Sequence, residues 1–190
     1  MNKMVPPLLS LFCILIYGLG NGSIYANKIE TPQHQPFEEI FTEGGYKTIG
    51  EAVQDFESHY NQKLKLPLRV PPISFTHHFG RFSNLEGDIN DSLDMKLISD
   101  QSPENQFSIN VRHIKYKIDF GNKHITEVYK LNNGIEAKYI ELPNSGFNML
   151  VFEIDNWQYT FDIDRRVAEK VTPDILVQIA NSIDFKNERR

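Results

Sequence analysis

The strongest constraint on the fold of this chain is a succession of short alternating segments joined by connections too tight for anything but antiparallel neighbours. From Pro67 onward, candidate strands run over Ile73–Phe82, Leu93–Ser99, Phe107–Ile118, Ile125–Leu131, Ile135–Leu142, Asn148–Ile154 and Tyr159–Asp162. Asn132-Asn133-Gly134 and Pro143-Asn144-Ser145-Gly146 supply residues that accept left-handed backbone angles. Asp155-Asn156 is short enough to be a two-residue hairpin turn between Phe152-Glu153-Ile154 and Trp157-Gln158-Tyr159. The second half therefore reads as a meander.

A helix is predicted on each side of these strands. Thr48 and Glu51 have the spacing of a capping box, and Ile49, Val53, Phe56 and Tyr60 follow at steps that place them on one stripe. Near the end, Thr172 and Pro173 open a second helix with Ile175, Leu176, Ile179, Ala180 and Ile183 on one face. The fold class expected is α+β, an antiparallel sheet packed against an N-terminal and a C-terminal helix, both on one sheet face.

The N-terminal segment is chemically different. Lys3 is the only charged residue before Lys28, and the apolar run Leu8–Leu19 is followed by Gly20-Asn21-Gly22 and by Ser23-Ile24-Tyr25-Ala26. That order of a basic start, an apolar stretch and a small residue predicts a signal peptide over residues 1–26, cut after Ala26. A membrane anchor needs roughly 20 mainly apolar residues, and Pro6, Pro7 and the glycines keep this run short of that. Phe12 before Cys13 and Ile14-Leu15-Ile16 after it do not suit a lipidated cysteine. The expected organisation continues with a flexible arm over residues 27–45, a single domain over 46–185 and a charged tail over 186–190.

Composition narrows the function classes. The chain has 190 residues, one cysteine and a formal net charge of −5, and loss of Lys3 with the signal makes the remainder one unit more acidic. An acidic balance does not suit a nucleic-acid partner, which draws lysine and arginine to its phosphates. Removal of Cys13 leaves no thiol for a disulfide, a nucleophile or a metal, so the exported domain must be held by its core alone.

Candidate sites follow from the histidines and acids. His77 and His78 are adjacent in a strand and point to opposite faces, so a metal site needs partners such as His113 or His124 from elsewhere. The run Asp88-Ile89-Asn90-Asp91-Ser92-Leu93-Asp94 spaces oxygens like a calcium loop, but Leu93 stands where the sharp turn needs glycine and Ser99 where a bidentate glutamate belongs. Asp162 with Asp164, and Glu38 with Glu39, are carboxylate pairs that read as surface acids. No Gly-x-Ser-x-Gly sequence is present. No catalytic, cofactor-binding or metal-binding residue is assigned, and no cofactor is expected.

The C-terminal part has a recognisable order: Asn133-Gly134-Ile135-Glu136-Ala137 opening a strand, Leu150-Val151-Phe152-Glu153 before a tight turn, Trp157-Gln158-Tyr159-Thr160-Phe161 after it, and a closing Ile175–Ile183 helix. Over about residues 120–185 it resembles a Gram-positive extracytoplasmic domain family of unknown function, found in secreted proteins, in lipoproteins and on the outer ends of anti-sigma-type regulators. The resemblance implies an extracytoplasmic, non-catalytic α+β domain and supplies no catalytic residues.

The expected function is that of an exported, non-catalytic accessory or binding domain, secreted or associated with the cell envelope. Its expected partner is another envelope or extracellular protein, with no nucleic acid and no membrane contact beyond an uncleaved signal. Two alternatives stand beside it. One is a metal-dependent hydrolase of the envelope built around His77, His113 and the loop near Asp88, and the other is a structural protein of a surface layer or spore envelope.

Overall fold

The computed structural model describes residues 36–84 and 91–183. The expected signal peptide with Cys13, the first part of the expected arm, residues 85–90 with Asp88, and the expected charged tail lie outside the described residues.

The architecture is α+β. Seven strands form one antiparallel sheet: β1 (His77–Ser83), β2 (Ser92–Ile98), β3 (Gln106–His113), β4 (Ile125–Lys130), β5 (Glu136–Glu141), β6 (Phe147–Ile154) and β7 (Trp157–Asp164). Their order in space is β1-β2-β3-β7-β6-β5-β4. Two meanders, β1 to β3 and β4 to β7, are thus fused where β3 pairs with β7. The hairpin turn at Asp155-Asn156 forms with Ile154 opposite Trp157, and Asp155 takes a φ of 54°. Gly134 and Gly146 carry positive φ in the other two turns.

Among the described residues three α-helices accompany the sheet: α1 (Phe37–Glu43), α2 (Ile49–Tyr60) and α3 (Pro173–Asn181). The capping box of Thr48 and Glu51 forms at the start of α2. Pro173 opens α3, but the Thr172 hydroxyl makes no capping hydrogen bond; its carbonyl accepts from the Ile175 and Leu176 amides instead. Within the stretch expected to be a loose arm, α1 is the departure. Phe37, Ile40 and Phe41 have helical spacing, Pro36 precedes them and Glu38 and Glu39 lie in the first turn.

Strand boundaries also differ in places. The strand expected over Phe107–Ile118 ends at His113, where Ile114–Tyr116 turn into a 3-10 helix. β7 is longer than expected at both ends, because Trp157 pairs with Ile154 and His113 while Asp164 pairs with Phe147.

Successive side chains on a strand face opposite ways, so the register sorts them into two surfaces. On one, Leu93, Met95 and Leu97 lie beside Val111, Ile109 and Phe107, which lie beside Tyr159, Phe161 and Ile163. This surface is buried under Ala52 and Phe56 of α2, Leu64 of the connection to β1, and Leu176, Ile179 and Ala180 of α3. The expected placement of both flanking helices on one face is met by α2 and α3. Fully burying a side chain of this size contributes about 1.5–3 kcal/mol. Phe56 is the centre of the aromatic packing, with ring centroids 4.9 Å from Tyr60, 5.6 Å from Phe82 and 4.8 Å from Trp157.

The connection between α2 and β1 is tied down at both flanks of that layer. The Tyr159 hydroxyl donates to the Lys65 carbonyl at 2.8 Å, and the Leu68 amide donates to the Ser182 hydroxyl at 3.0 Å. On the other side of α2, Lys47 pairs through its backbone with Gly80, so the segment joining α1 to α2 wraps around the outer edge of β1.

Gly80 permits that wrap. A Cβ there would sit 2.8 Å from the Ala52 Cβ and 2.8 Å from the Ile49 Cα, and the helix backbone cannot rotate out of the way. Gly80→Ala is expected to lower unfolding free energy by about 1–3 kcal/mol through overpacking, read as an earlier urea midpoint. An unchanged midpoint would contradict the close approach of α2 to β1.

Candidate functional site

The second sheet surface is built differently. Its side chains in adjacent strands form rows about 4.8 Å apart across the sheet and about 7 Å apart along it. One row is Arg81, Asp94, Asn110 and Thr160, and the next is Phe79, Lys96, Ser108 and Asp162. Two flanking structures leave this polar centre uncovered.

The first is α1, whose Phe41 stacks on Phe79 with centroids 4.4 Å apart and whose Phe37 lies 4.9 Å from His77. Tyr46 follows, with the Arg81 guanidinium 4.4 Å above its ring. The second is the segment from β3 to β4, which must travel from the middle of the sheet to its far edge. It crosses the surface over β7, where buried Gln158 holds it in a strand-like pair: the Ile118 amide donates to Gln158 Oε1 at 2.8 Å, and Gln158 Nε2 donates to the Ile118 carbonyl at 3.0 Å. Beyond it, Phe120 packs on the small cluster of Ile140, Met149 and Val151.

Between these flanks lies a groove of about 420 Å³, floored by the polar rows and walled on one side by Ile118, Phe120, Phe147 and Met149. That volume is within the range of small-ligand pockets. A second depression of about 480 Å³ lies on the opposite side of the crossing segment. Its charges include the Lys117–Glu153 pair at 2.8 Å, which is already satisfied within the protein.

The electrostatics of the groove are uneven. Asp94 accepts a hydrogen bond from the Tyr46 hydroxyl and lies 3.5 Å from Lys96 and 3.9 Å from Arg81. Burial raises the Tyr46 hydroxyl above the ordinary tyrosine value, and its bond to the Asp94 carboxylate adds to the effect. Asp162 is pushed up to about 7, chiefly by burial and further by the charge of Asp94, with Lys96 opposing. Arg112 reaches only the Asn110 side-chain oxygen, through two bonds of 3.3 Å, and pairs with no carboxylate among the described residues. Burial lowers its guanidinium from the usual arginine value, although an arginine remains cationic. The hydroxyls of Ser108 and Thr160 and the carboxyl of Asp162 line the groove without a hydrogen bond to another described residue.

The residues singled out in the sequence are distributed rather than gathered. His77 lies at the end of β1 beneath α1, with Nε2 2.8 Å from Glu38 and Nδ1 2.7 Å from the Thr76 hydroxyl. His78 faces the opposite way. His113 lies at the far end of β3 on the helix-covered surface, stacked on Tyr60 and with Nδ1 accepting from the Lys115 amide. His124 ends a 3-10 turn before β4. His77 and His113 are thus on opposite sheet surfaces, and among the described residues no three His, Cys, Asp or Glu side chains converge on a metal position. The acidic run continues into β2, and Asp91 pairs with His59 Nε2 at 3.0 Å.

The two carboxylate pairs also separate. Asp164 is held by Arg166 through bonds of 2.9 and 2.6 Å, while Asp162, two residues away, opens into the groove. Glu38 bonds His77, and Glu39 remains exposed on α1. Reading Asp162 and Asp164 as surface acids is corrected by their places on β7 within the sheet. Arg112, Ser108 and Thr160 are functional candidates that the sequence reading missed. A signal for them exists in the strand alternation, since Ser108, Asn110 and Arg112 form an unbroken polar face between Phe107, Ile109 and Val111.

Compared with protein-family models, with curated proteins and with solved structures, the chain matches none of them.

The elevated Asp162 has a thermodynamic consequence. An unfolded aspartate titrates near 3.9. Between about pH 4 and 7 the native chain therefore holds a proton that the unfolded chain has released, and stability falls as pH rises through that window. Asp162→Asn is expected to stabilise the protein at pH 8 by roughly 2–4 kcal/mol and to flatten the fall between pH 4 and 7. Denaturation curves at several pH values measure both. Loss of stability at pH 8, or an unchanged pH slope, would contradict this placement of Asp162.

Proposed function

We propose that this chain is an exported, non-catalytic binding domain that recognises a ligand of the cell envelope or the extracellular medium through the polar groove. One observation carries the reading: Arg112, Ser108, Thr160 and Asp162 present hydrogen-bonding capacity to one concavity that the protein itself leaves unused. Buried polar groups in a folded chain are ordinarily matched by protein partners, so a cluster turned toward an open groove fits recognition better than it fits support of the fold.

Export is supported by the apolar run Leu8–Leu19 behind Lys3 and by the small residue at Ala26. No helix among the described residues is long and apolar enough to cross a membrane. A binding role rather than a catalytic one is supported by the surroundings of Asp162. Its charged neighbours are Asp94 and Lys96, and it makes no hydrogen bond to a described hydroxyl or imidazole that it could activate.

The test uses the full chain expressed with its own N-terminus in a bacterial host. The product is expected outside the cytosol, beginning at Asn27 by N-terminal sequencing, and is expected to co-sediment with isolated envelope material. Arg112→Gln combined with Lys96→Gln should abolish co-sedimentation while the circular dichroism spectrum is retained. Uncleaved protein in the cytosol would contradict the export reading, and undiminished co-sedimentation of the folded double variant would contradict the groove.

A further inference from the structure

The chemistry of the groove specifies the class of ligand it suits. Arg81, Lys96 and Arg112 face Asp94 and Asp162, so cations outnumber carboxyls even when both acids are ionised. The excess is localised, because Lys96 and Arg81 are engaged with Asp94, whereas Arg112 hydrogen-bonds the neutral Asn110 amide oxygen, has the Tyr60 hydroxyl as an electrostatic neighbour and pairs with no carboxylate among the described residues. A guanidinium with free N–H groups in a partly dehydrated groove matches an anion, and its planar fork matches a carboxylate in two parallel bonds.

The rest of the floor suits hydroxyls. Ser108 and Asp162 are register partners on adjacent strands, as are Asn110 and Thr160. These four side chains form a patch about 4.8 Å by 7 Å at the sheet surface that offers both donors and acceptors. An ordinary peptide side chain offers one polar tip, which engages one corner of such a patch. A polyhydroxylated ring offers several hydroxyls in a rigid array and loses little conformational freedom on binding. The wall of Ile118, Phe120, Phe147 and Met149 completes the match, since a sugar ring has a C–H face alongside its polar rim.

We propose that the groove binds a small hydroxylated acid of the uronic-acid type, its carboxylate on Arg112 and its hydroxyls on Ser108, Asn110, Thr160 and Asp162. This rests on the groove being the recognition site and adds the class of ligand. No covalent step is involved.

The experiment is a titration of the isotopically labelled full chain, followed by amide and side-chain NMR shifts, with glucuronate, glucose and acetate as separate probes. Glucuronate is expected to saturate shifts at residues 108–112 and 160–162, with glucose and acetate each binding at least about tenfold more weakly because each lacks one half of the match. Arg112→Gln should weaken glucuronate binding by about tenfold or more, and Lys130→Gln, on the edge strand β4, should leave it unchanged. If Arg112→Gln does not fold, Thr160→Val serves as the second variant, with a loss of a few fold expected.

Four results would overturn the proposal. Acetate binding as tightly as glucuronate would make the groove a simple anion site, and glucose binding as tightly would show that the acid is not read. Both would leave the groove standing as a recognition site. Glucuronate shifts that are absent, or that survive Arg112→Gln, would remove the ligand class. The envelope co-sedimentation of the Arg112 and Lys96 double variant then decides separately whether the groove itself is the site.

Discussion

The pairing of β3 with β7 is the constraint on which the rest of the structure depends. Each meander alone would be a small open sheet with an unpaired edge at both ends, and the seven register pairs from Phe107–Ile163 to His113–Trp157 turn the two into one surface. That surface is wide enough to carry α2, α3 and the connecting segment together on one side. The same pairing places β3 in the middle of the sheet while β4 lies at its far edge. The chain must therefore cross the other side, and Gln158 on β7 supplies the backbone-like partner that fixes where it crosses.

The two surfaces obey different physics as a result. Beneath α2 and α3, the rows from Leu93, Met95 and Leu97 across β3 to Tyr159, Phe161 and Ile163 are aromatic and aliphatic and fill the space. On the opposite side, α1 and the crossing segment cover only the flanks. The uncovered centre is polar, which avoids a large exposed apolar patch, but its rows lie deep enough for desolvation to act on Asp162 and Arg112. An acid near its midpoint at neutral pH and an arginine without a carboxylate are the cost of that position. A polar ligand that supplied the missing partners would offset it.

Much of the fold was legible in the sequence because it depends on local chemistry. Turn residues set the hairpins of the C-terminal meander, and the reciprocal spacing of Thr48 and Glu51 set the start of α2. The β3–β7 junction was not legible, since nothing local in Phe107–His113 states that its partner lies some fifty residues later. The seven-residue α1 was hidden by the prolines and glycines that bound it, although Phe37, Ile40 and Phe41 carry the helical interval. The site was legible only in part. Asp162 was noticed as an acid, but burial is a property of the assembled sheet, and Arg112 acquires its meaning only when Asp94 is seen to be engaged by Tyr46, Lys96 and Arg81.

Hydroxyl-radical footprinting of the full chain, with and without isolated envelope material, tests the central claim most directly. The groove walls at Ile118, Phe120 and Phe147 should become protected, while the exposed Leu68 and Val70 on the connection between α2 and β1 keep their reactivity. Protection at Leu68 and Val70 with unchanged groove walls would contradict the account, because recognition would then belong to the helix-covered side of the molecule.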